Sequence, residues 1–388
     1  MISKRLTALC LGAALLAGCK KEAPPAPRPP EPKLEVKAPE AVKPKADNAI
    51  ASVSGKSDPE CVGPIDTAVP TEVTIGGKKA ELNGYKLSFK DKDADNTAVF
   101  GVIGNINEDS GENLVSLKKY VEFFKAEKVE AIIVSGDTGE TSDSIQRALT
   151  PLAETGLPVF VIIGNRECRG DFNDAMAALQ KTHPNLVNMN KVRYVDYDDA
   201  DIVSLPGYHD KHYIHCDTGC QYFKQDVEAL KGVAKAANDP VIFVAHGPPH
   251  GTGPMAIDQA TGAGNVGDSN LNGLVTEGAI PFGVFSNIKE AGGRATDLTG
   301  ANVVKEDTLA DALYLNPGSA DTVAWTMNDG TEARGMAAVL TVTGKQAKYK
   351  MFRAKALTEA EKKEAQKLAP VTAKEEPKKE EEKKAAQK

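Results

Sequence analysis

Five short apolar runs in this chain each end in a cluster of glycine, asparagine, aspartate, histidine or lysine. The run at 99–103 is followed by Asn105 and Asn107, and that at 131–134 by Gly136-Asp137. The run at 158–163 leads into Gly164-Asn165-Arg166-Glu167. The run at 241–245 leads into His246, and that at 282–285 into Asn287 and Lys289. An unbroken apolar run of this length fits a strand buried on both faces. One such cluster would be ordinary turn chemistry. Five of them, each where a strand ends, point to a binding or catalytic site, because ligands of α/β sheets sit outside the carboxyl ends of the strands.

Helical spacing of apolar residues predicts helices over 113–128, 142–154, 172–180 and 225–237 between these runs. Further strands are expected at 192–197, 201–205, 312–315, 335–343 and 346–352. Early alternation and a β-rich later half predict an α/β architecture with a mixed or double sheet.

The net charge of −7 is unevenly spread: residues 1–50 carry +4 and residues 354–388 carry +2, which leaves −13 for residues 51–353. An acidic body argues against a nucleic-acid partner, since phosphate contacts need clustered cations.

The ends read as separate segments. Lys4-Arg5, an apolar run from Leu6 and the sequence Leu16-Ala17-Gly18-Cys19 resemble a bacterial lipoprotein signal, with cleavage before Cys19 and lipid on Cys19. With Lys20 next, the expected location is the bacterial outer membrane, on its periplasmic or surface side, with the membrane as partner through the lipid. The expected division is a signal peptide at 1–18, a Pro-rich tether at 19–50, a β-rich extension at 51–96, the main domain at 97–353 and a Lys/Glu/Ala-rich tail at 354–388.

Beyond Cys10 and Cys19, four cysteines remain: Cys61, Cys168, Cys216 and Cys220. Export makes disulfides plausible, and four cysteines allow three pairings. The preferred one joins Cys216 to Cys220 and Cys61 to Cys168. His209, His212 and His215 beside Cys216 and Cys220 also allow a zinc site, although the spacing matches no standard pattern. Gly262-Ala-Gly264-Asn-Val-Gly267 fits a dinucleotide fingerprint in letters, but no strand-like run precedes it.

The order of the five clusters resembles the calcineurin-like metallophosphoesterases. That family carries Asp-x-His, Gly-Asp, Gly-Asn-His-Asp/Glu, a lone His and Gly-His-x-His, each at a strand end. Here the matching stretches are Gly104-Asn105-Ile106-Asn107, Gly136-Asp137, Gly164-Asn165-Arg166-Glu167, His246 and Ser286-Asn287-Ile288-Lys289, and Asn316-Pro317-Gly318-Ser319 also fits. The resemblance spans roughly residues 97–350 and implies a double β-sheet sandwich flanked by helices. It also implies two divalent metals bridged by an aspartate and a hydroxide.

Carried across, the resemblance makes Asp137 the bridging ligand, with Asn165 and His246 as further ligands. Four ligand positions are substituted: Asn105 for Asp, and Asn107, Asn287 and Lys289 for His. Arg166 replaces the catalytic histidine. The first metal loses all but Asp137, and amide oxygens are weak ligands for zinc, iron or manganese. The second keeps Asp137, Asn165 and His246, with Asn287 as a weak fourth.

Two functions follow. One is a reduced, one-metal phosphoric-ester hydrolase holding manganese, iron or zinc, with Arg166, His246 and Asn165 as its catalytic residues. The other is a metal-free pseudoenzyme in which Arg166 and Lys289 bind a small phosphoester or other anion, or a protein partner of unknown identity, and Asp137 pairs with Lys289. His209 and His250 are further candidates to line the site.

Overall fold

The computed structural model describes residues 55–370. The signal, Cys19, the tether and the end of the tail lie outside them. Three antiparallel strands open the described chain: β1 (Thr71–Ile75), β2 (Lys78–Asn83) and β3 (Lys86–Phe89). Then β4 (Thr97–Ile103), α1 (Gly111–Ala126), β5 (Ala131–Val134), α2 (Ser142–Ala153), β6 (Val159–Val161), α3 (Arg169–Gln180) and β7 (Leu186–Asn188) alternate. Next come β8 (Tyr194–Asp196), β9 (Asp201–Leu205), α4 (Lys224–Lys235) and β10 (Val241–Ala245). A small ribbon of β11 (Gln259–Ala260) and β12 (Gly264–Asn265) precedes α5 (Ser269–Glu277), β13 (Phe282–Val284), β14 (Arg294–Thr296), β15 (Val303–Val304) and β16 (Leu313–Asn316). A second ribbon, β17 (Trp325–Thr326) with β18 (Glu332–Ala333), leads to the hairpin β19 (Met336–Thr343) and β20 (Gln346–Arg353) and to α6 (Glu359–Leu368).

Two mixed sheets result. One runs β20-β19-β4-β5-β6-β7, with β4 to β7 parallel. The other runs β1-β2-β3-β8-β9-β10-β13-β16-β14-β15, with β9, β10, β13 and β16 parallel. Residues 71–89, set apart in sequence as an extension, are thus the outer strands of the larger sheet.

Each apolar run divides its side chains between two cores, as a period of two requires. Phe100, Val102, Ala131, Ile133, Phe160, Ile242 and Val244 pack together with Phe282 and Leu315 between the sheets. Ile103, Ile132, Val134, Val159, Val161, Phe243 and Ala245 face the other way, with Leu117, Leu149 and Phe172 of α1 to α3 and Leu230 and Leu274 of α4 and α5. The architecture is therefore the expected α/β fold with two sheets and helices outside.

Helix α6 occupies the described part of the tail. It lies on α1 through Lys118–Glu364 (2.5 Å) and Lys119–Glu361 (3.0 Å). Gly111 lets the helices touch, because a Cβ there would strike the Ala365 carbonyl. No helix among the described residues is long and apolar enough to cross a membrane.

The cysteines correct the preferred pairing: the bonds are Cys61–Cys220 and Cys168–Cys216. Closeness in sequence misled, because Cys220 turns into the core against the segment at 61–63 while Cys216 stays outside beside α3. With both sulfurs so engaged, the zinc alternative at 209–220 loses its thiolates. The glycines at 262–267 belong to the β11–β12 ribbon and not to a strand–helix turn.

Candidate functional site

Parallel strands of both sheets deliver the clusters to one end of the sandwich. Residues 104–107 follow β4, 135–137 follow β5, and 164–167 follow β6. Residues 246–249 follow β10, 286–289 follow β13, and 317–321 follow β16. The backbone there is unusual: Asn105, Asn107 and Asp137 have φ of +50°, +65° and +58°. Asparagine and aspartate tolerate this left-handed region best among residues with a side chain. Gly164 is required by proximity, since a Cβ on it would run into the Asp137 side chain and lie 2.6 Å from its backbone nitrogen.

Asp137, Asn165 and His246 meet at the centre. Asp137 Oδ1 accepts the backbone N–H groups of Asn165 and Arg166, both at 3.1 Å, and lies 3.3 Å from His246 Nε2. His246 Nδ1 lies 2.8 Å from the Ser135 carbonyl, and Nε2 lies 3.0 Å from Asn165 Oδ1. The Asn165 amide is oriented by donating to the Tyr213 carbonyl at 2.6 Å, which leaves its oxygen toward the ring. Both imidazole nitrogens thus face acceptors, the pattern of an imidazolium. Burial alone would hold His246 neutral, but the adjacent Asp137 carboxylate outweighs it and raises the pKa. Burial likewise pushes Asp137 up, and the His246 charge and hydrogen bond outweigh it and bring the pKa down.

This corrects the expected Asp137–Lys289 pair. The carboxylate is held by His246, and Lys289 instead lies with its ammonium 4.6 Å from the centre of the Trp325 ring. Lys289 starts a short 3₁₀ turn, Lys289–Ala291, which carries its side chain toward the β17–β18 ribbon. Burial lowers its pKa, and the nearby charges of Asp137 and Asp321 oppose that.

Arg166 lies at the same end, bound through Nη2 to Glu140 Oε1 at 2.5 Å, with its buried Nε unpartnered. Glu167 is fully buried and accepts from Thr138 N (2.5 Å), Thr138 Oγ1 (2.9 Å) and Gly164 N (2.9 Å). Burial and then the Asp137 charge push its pKa up to about 7. Asn105 donates to the Ser286 carbonyl, and Asn107 donates to Asp321 Oδ2 at 2.8 Å. Each leaves a buried amide oxygen without a partner. Asn287 lies against the Tyr208 hydroxyl.

His209 packs at a tilt against Tyr208 and feels Asp268, while His250 faces Asp258 at 3.6 Å. Asp321, Trp325, Glu140 and Tyr213 were missed in sequence. Only Asp321 had a signal, two residues beyond the Asn316-Pro317-Gly318-Ser319 stretch.

Residues 99–273 match the family model for calcineurin-like phosphoesterase. Over that stretch the chain is similar to a calcineurin-like phosphoesterase domain. Among solved structures, a Thermus thermophilus protein is 14% identical, covers 62% of this chain and 98% of its own, and gives a TM-score of 0.40. A dimetal phosphatase from Danio rerio is 12% identical, with coverages of 66% and 99% and a TM-score of 0.39. A purple acid phosphatase from yellow lupin seeds is 10% identical, with coverages of 70% and 56% and a TM-score of 0.41. No curated protein matches the chain.

Proteins with such domains usually bind divalent metals, and donor chemistry decides whether this calcineurin-like site fits two of them. It does not. At the family's ligand positions one carboxylate, Asp137, would face two dications alongside the Lys289 and Arg166 cations. At the first metal position two amide oxygens and an ammonium stand where the family has carboxylate and imidazole. The three-residue acidic cluster Asp93, Asp95 and Asp199 lies elsewhere, just before β4, at the opposite end of that strand.

Proposed function

We propose that this calcineurin-like domain is a pseudo-phosphoesterase that binds a small phosphate-type anion without dinuclear catalysis. One observation carries the reading. The Lys289 ammonium takes a ligand position of the family, half-buried beside Arg166, and makes no ion pair among the described residues. A half-buried cation that closes no ion pair with the nearby Asp137 or Asp321 favours an anion from solution. Arg166 Nε, also unpartnered, adds a second donor. The resemblance of Leu16-Ala17-Gly18-Cys19 to a lipoprotein signal supports placing this domain at the bacterial outer membrane.

The test is a thermal melt of chelator-treated protein with inorganic phosphate. Phosphate raises the melting temperature of the native chain and leaves that of Lys289→Met unchanged. No shift at millimolar phosphate overturns the reading.

The placement of Asn165 Oδ1 at 3.0 Å and Asp137 Oδ1 at 3.3 Å from His246 Nε2 favours a second reading, a one-metal hydrolase. Elemental mass spectrometry separates the two. About one manganese, iron or zinc per chain, lost in His246→Ala together with ester hydrolysis, supports the hydrolase, and metal near zero supports the anion pocket.

A further inference from the structure

A cavity of about 600 Å³ lies apart from the Asp137–His246 cluster and shares none of its residues. Arg294, Arg353, Met255, Met327, Met336 and Tyr349 line it. The β17–β18 ribbon divides the two places: Trp325 turns to Lys289, while Met327 and the residues of β18 turn to the cavity.

Its distinctive group is Arg294. The residue is 8% exposed, yet its side chain makes one contact in the hydrogen-bond range, Nη1 to Met255 Sδ at 3.7 Å. Thioether sulfur is a weak acceptor. Two of the neighbouring carboxylates are held by other arginines. Glu306 Oε1 holds Arg353 at 2.7 Å, and Glu332 holds Arg334 at 2.7 Å. Asp329 feels Arg294 but does not pair with it, and its Oδ1 is bound by the Thr331 N–H (3.0 Å) and hydroxyl (2.6 Å). Strand β14 lies between β15 and β16, which fixes Arg294 at the cavity. Burial pulls the Arg294 pKa down, and Asp329 opposes this.

A mostly buried guanidinium that makes no ion pair and faces a cavity favours an anionic partner there. The walls around it combine the three methionines and Tyr349 with the carboxylates Glu306, Asp329 and Glu332 and the cations Arg334 and Arg353, and methionine adapts to varied apolar shapes. The volume suits a small ligand. We propose that this cavity binds an amphiphilic anion, with a carboxylate or phosphate head on Arg294 and a short apolar body among Met255, Met327 and Met336.

The test is methyl NMR of the full chain labelled at methionine. Millimolar octanoate or octyl phosphate shifts the Met255, Met327 and Met336 resonances, and octanol and octylamine leave them in place. The tighter of the two anions identifies the head as carboxylate or phosphate. Arg294→Met weakens binding at least tenfold while the other methionine resonances stay put. If that variant fails to fold, Arg294→Lys keeps the charge, loses the two-pronged contact and weakens binding several-fold. The proposal falls if octanol shifts the same resonances as strongly, if neither anion moves them, or if the Arg294 variants bind octanoate as the native chain does.

Discussion

The Lys289 ammonium sits over the face of Trp325, the single tryptophan of the chain, 4.6 Å from the ring centre. That pairing replaces a metal ligand with a cation held by a quadrupole, an interaction worth about 0.5–1 kcal/mol where water reaches it. It also makes Trp325 a reporter for the site.

Phosphate drawing Lys289 toward itself changes the indole environment. Tryptophan fluorescence of the native chain should therefore titrate with phosphate, and that of Lys289→Met should not. The same variant should unfold within about 1 kcal/mol of the native chain, because it removes a desolvated cation and keeps most of the aliphatic stem. A variant that loses both stability and the titration would point to a purely structural lysine.

Restoring the family's ligands should restore metal. The combined variant Asn105→Asp, Asn107→His, Asn287→His and Lys289→His supplies a second carboxylate and three imidazoles and removes one cation. Elemental mass spectrometry should find it carrying the family's two metals, with the native chain near zero. Equal metal content in both would mean that the four positions do not control loading.

The two-core arrangement was legible in the apolar runs because buried strands allow little besides Val, Ile, Leu, Phe and Ala. The run at 201–205 is β9 as expected, and that at 241–245 is β10. Helix α5 was not legible: Ser269-Asn-Leu-Asn-Gly-Leu-Val-Thr-Glu277 holds two asparagines and a glycine, all poor helix formers. Its start depends on Asp268 accepting from the Asn270 N–H, and its stability on Leu271 and Leu274 in the core. At the site, Asp137, Asn165 and His246 were readable because each follows its own strand. The partners of Lys289 and Arg166 were not, because Trp325 and Glu140 arrive on loops whose folding no local pattern announces.

The disulfides should separate into one structural bond and one local clamp. Cys61 and Cys220 are both buried, and their bond closes a span of 159 residues. Cys61→Ala with Cys220→Ala should cost about 2–5 kcal/mol in denaturant unfolding. Cys168–Cys216 joins the start of α3 to the loop whose Tyr213 carbonyl holds Asn165. Its removal should loosen that loop in hydrogen exchange and cost less in global stability. Peptide mapping without reductant should show these two linkages, and a Cys216–Cys220 peptide would contradict the fold of this segment.

Asp201 should make stability fall as pH rises through the weakly acidic range. Its Oδ2 accepts from the Tyr194 hydroxyl (2.9 Å) and the backbone N–H groups of Asn238 (3.0 Å) and Asp239 (3.1 Å), while Oδ1 is buried without a partner. Burial is the largest influence and raises the pKa from 3.8 to about 6. A carboxyl that holds its proton more tightly folded than unfolded stabilises the fold fully below the unfolded pKa. That contribution disappears as pH climbs through the folded one. The loss from this group is about 2–3 kcal/mol between roughly pH 4 and pH 7. An amide cannot titrate, so Asp201→Asn should remove that much of the slope while its side-chain oxygen keeps the three accepted bonds. Urea unfolding of both proteins at the two ends of the range measures the difference. Parallel curves would show that Asp201 is already ionised at its ordinary pKa and that the bonds to Oδ2 outweigh its burial.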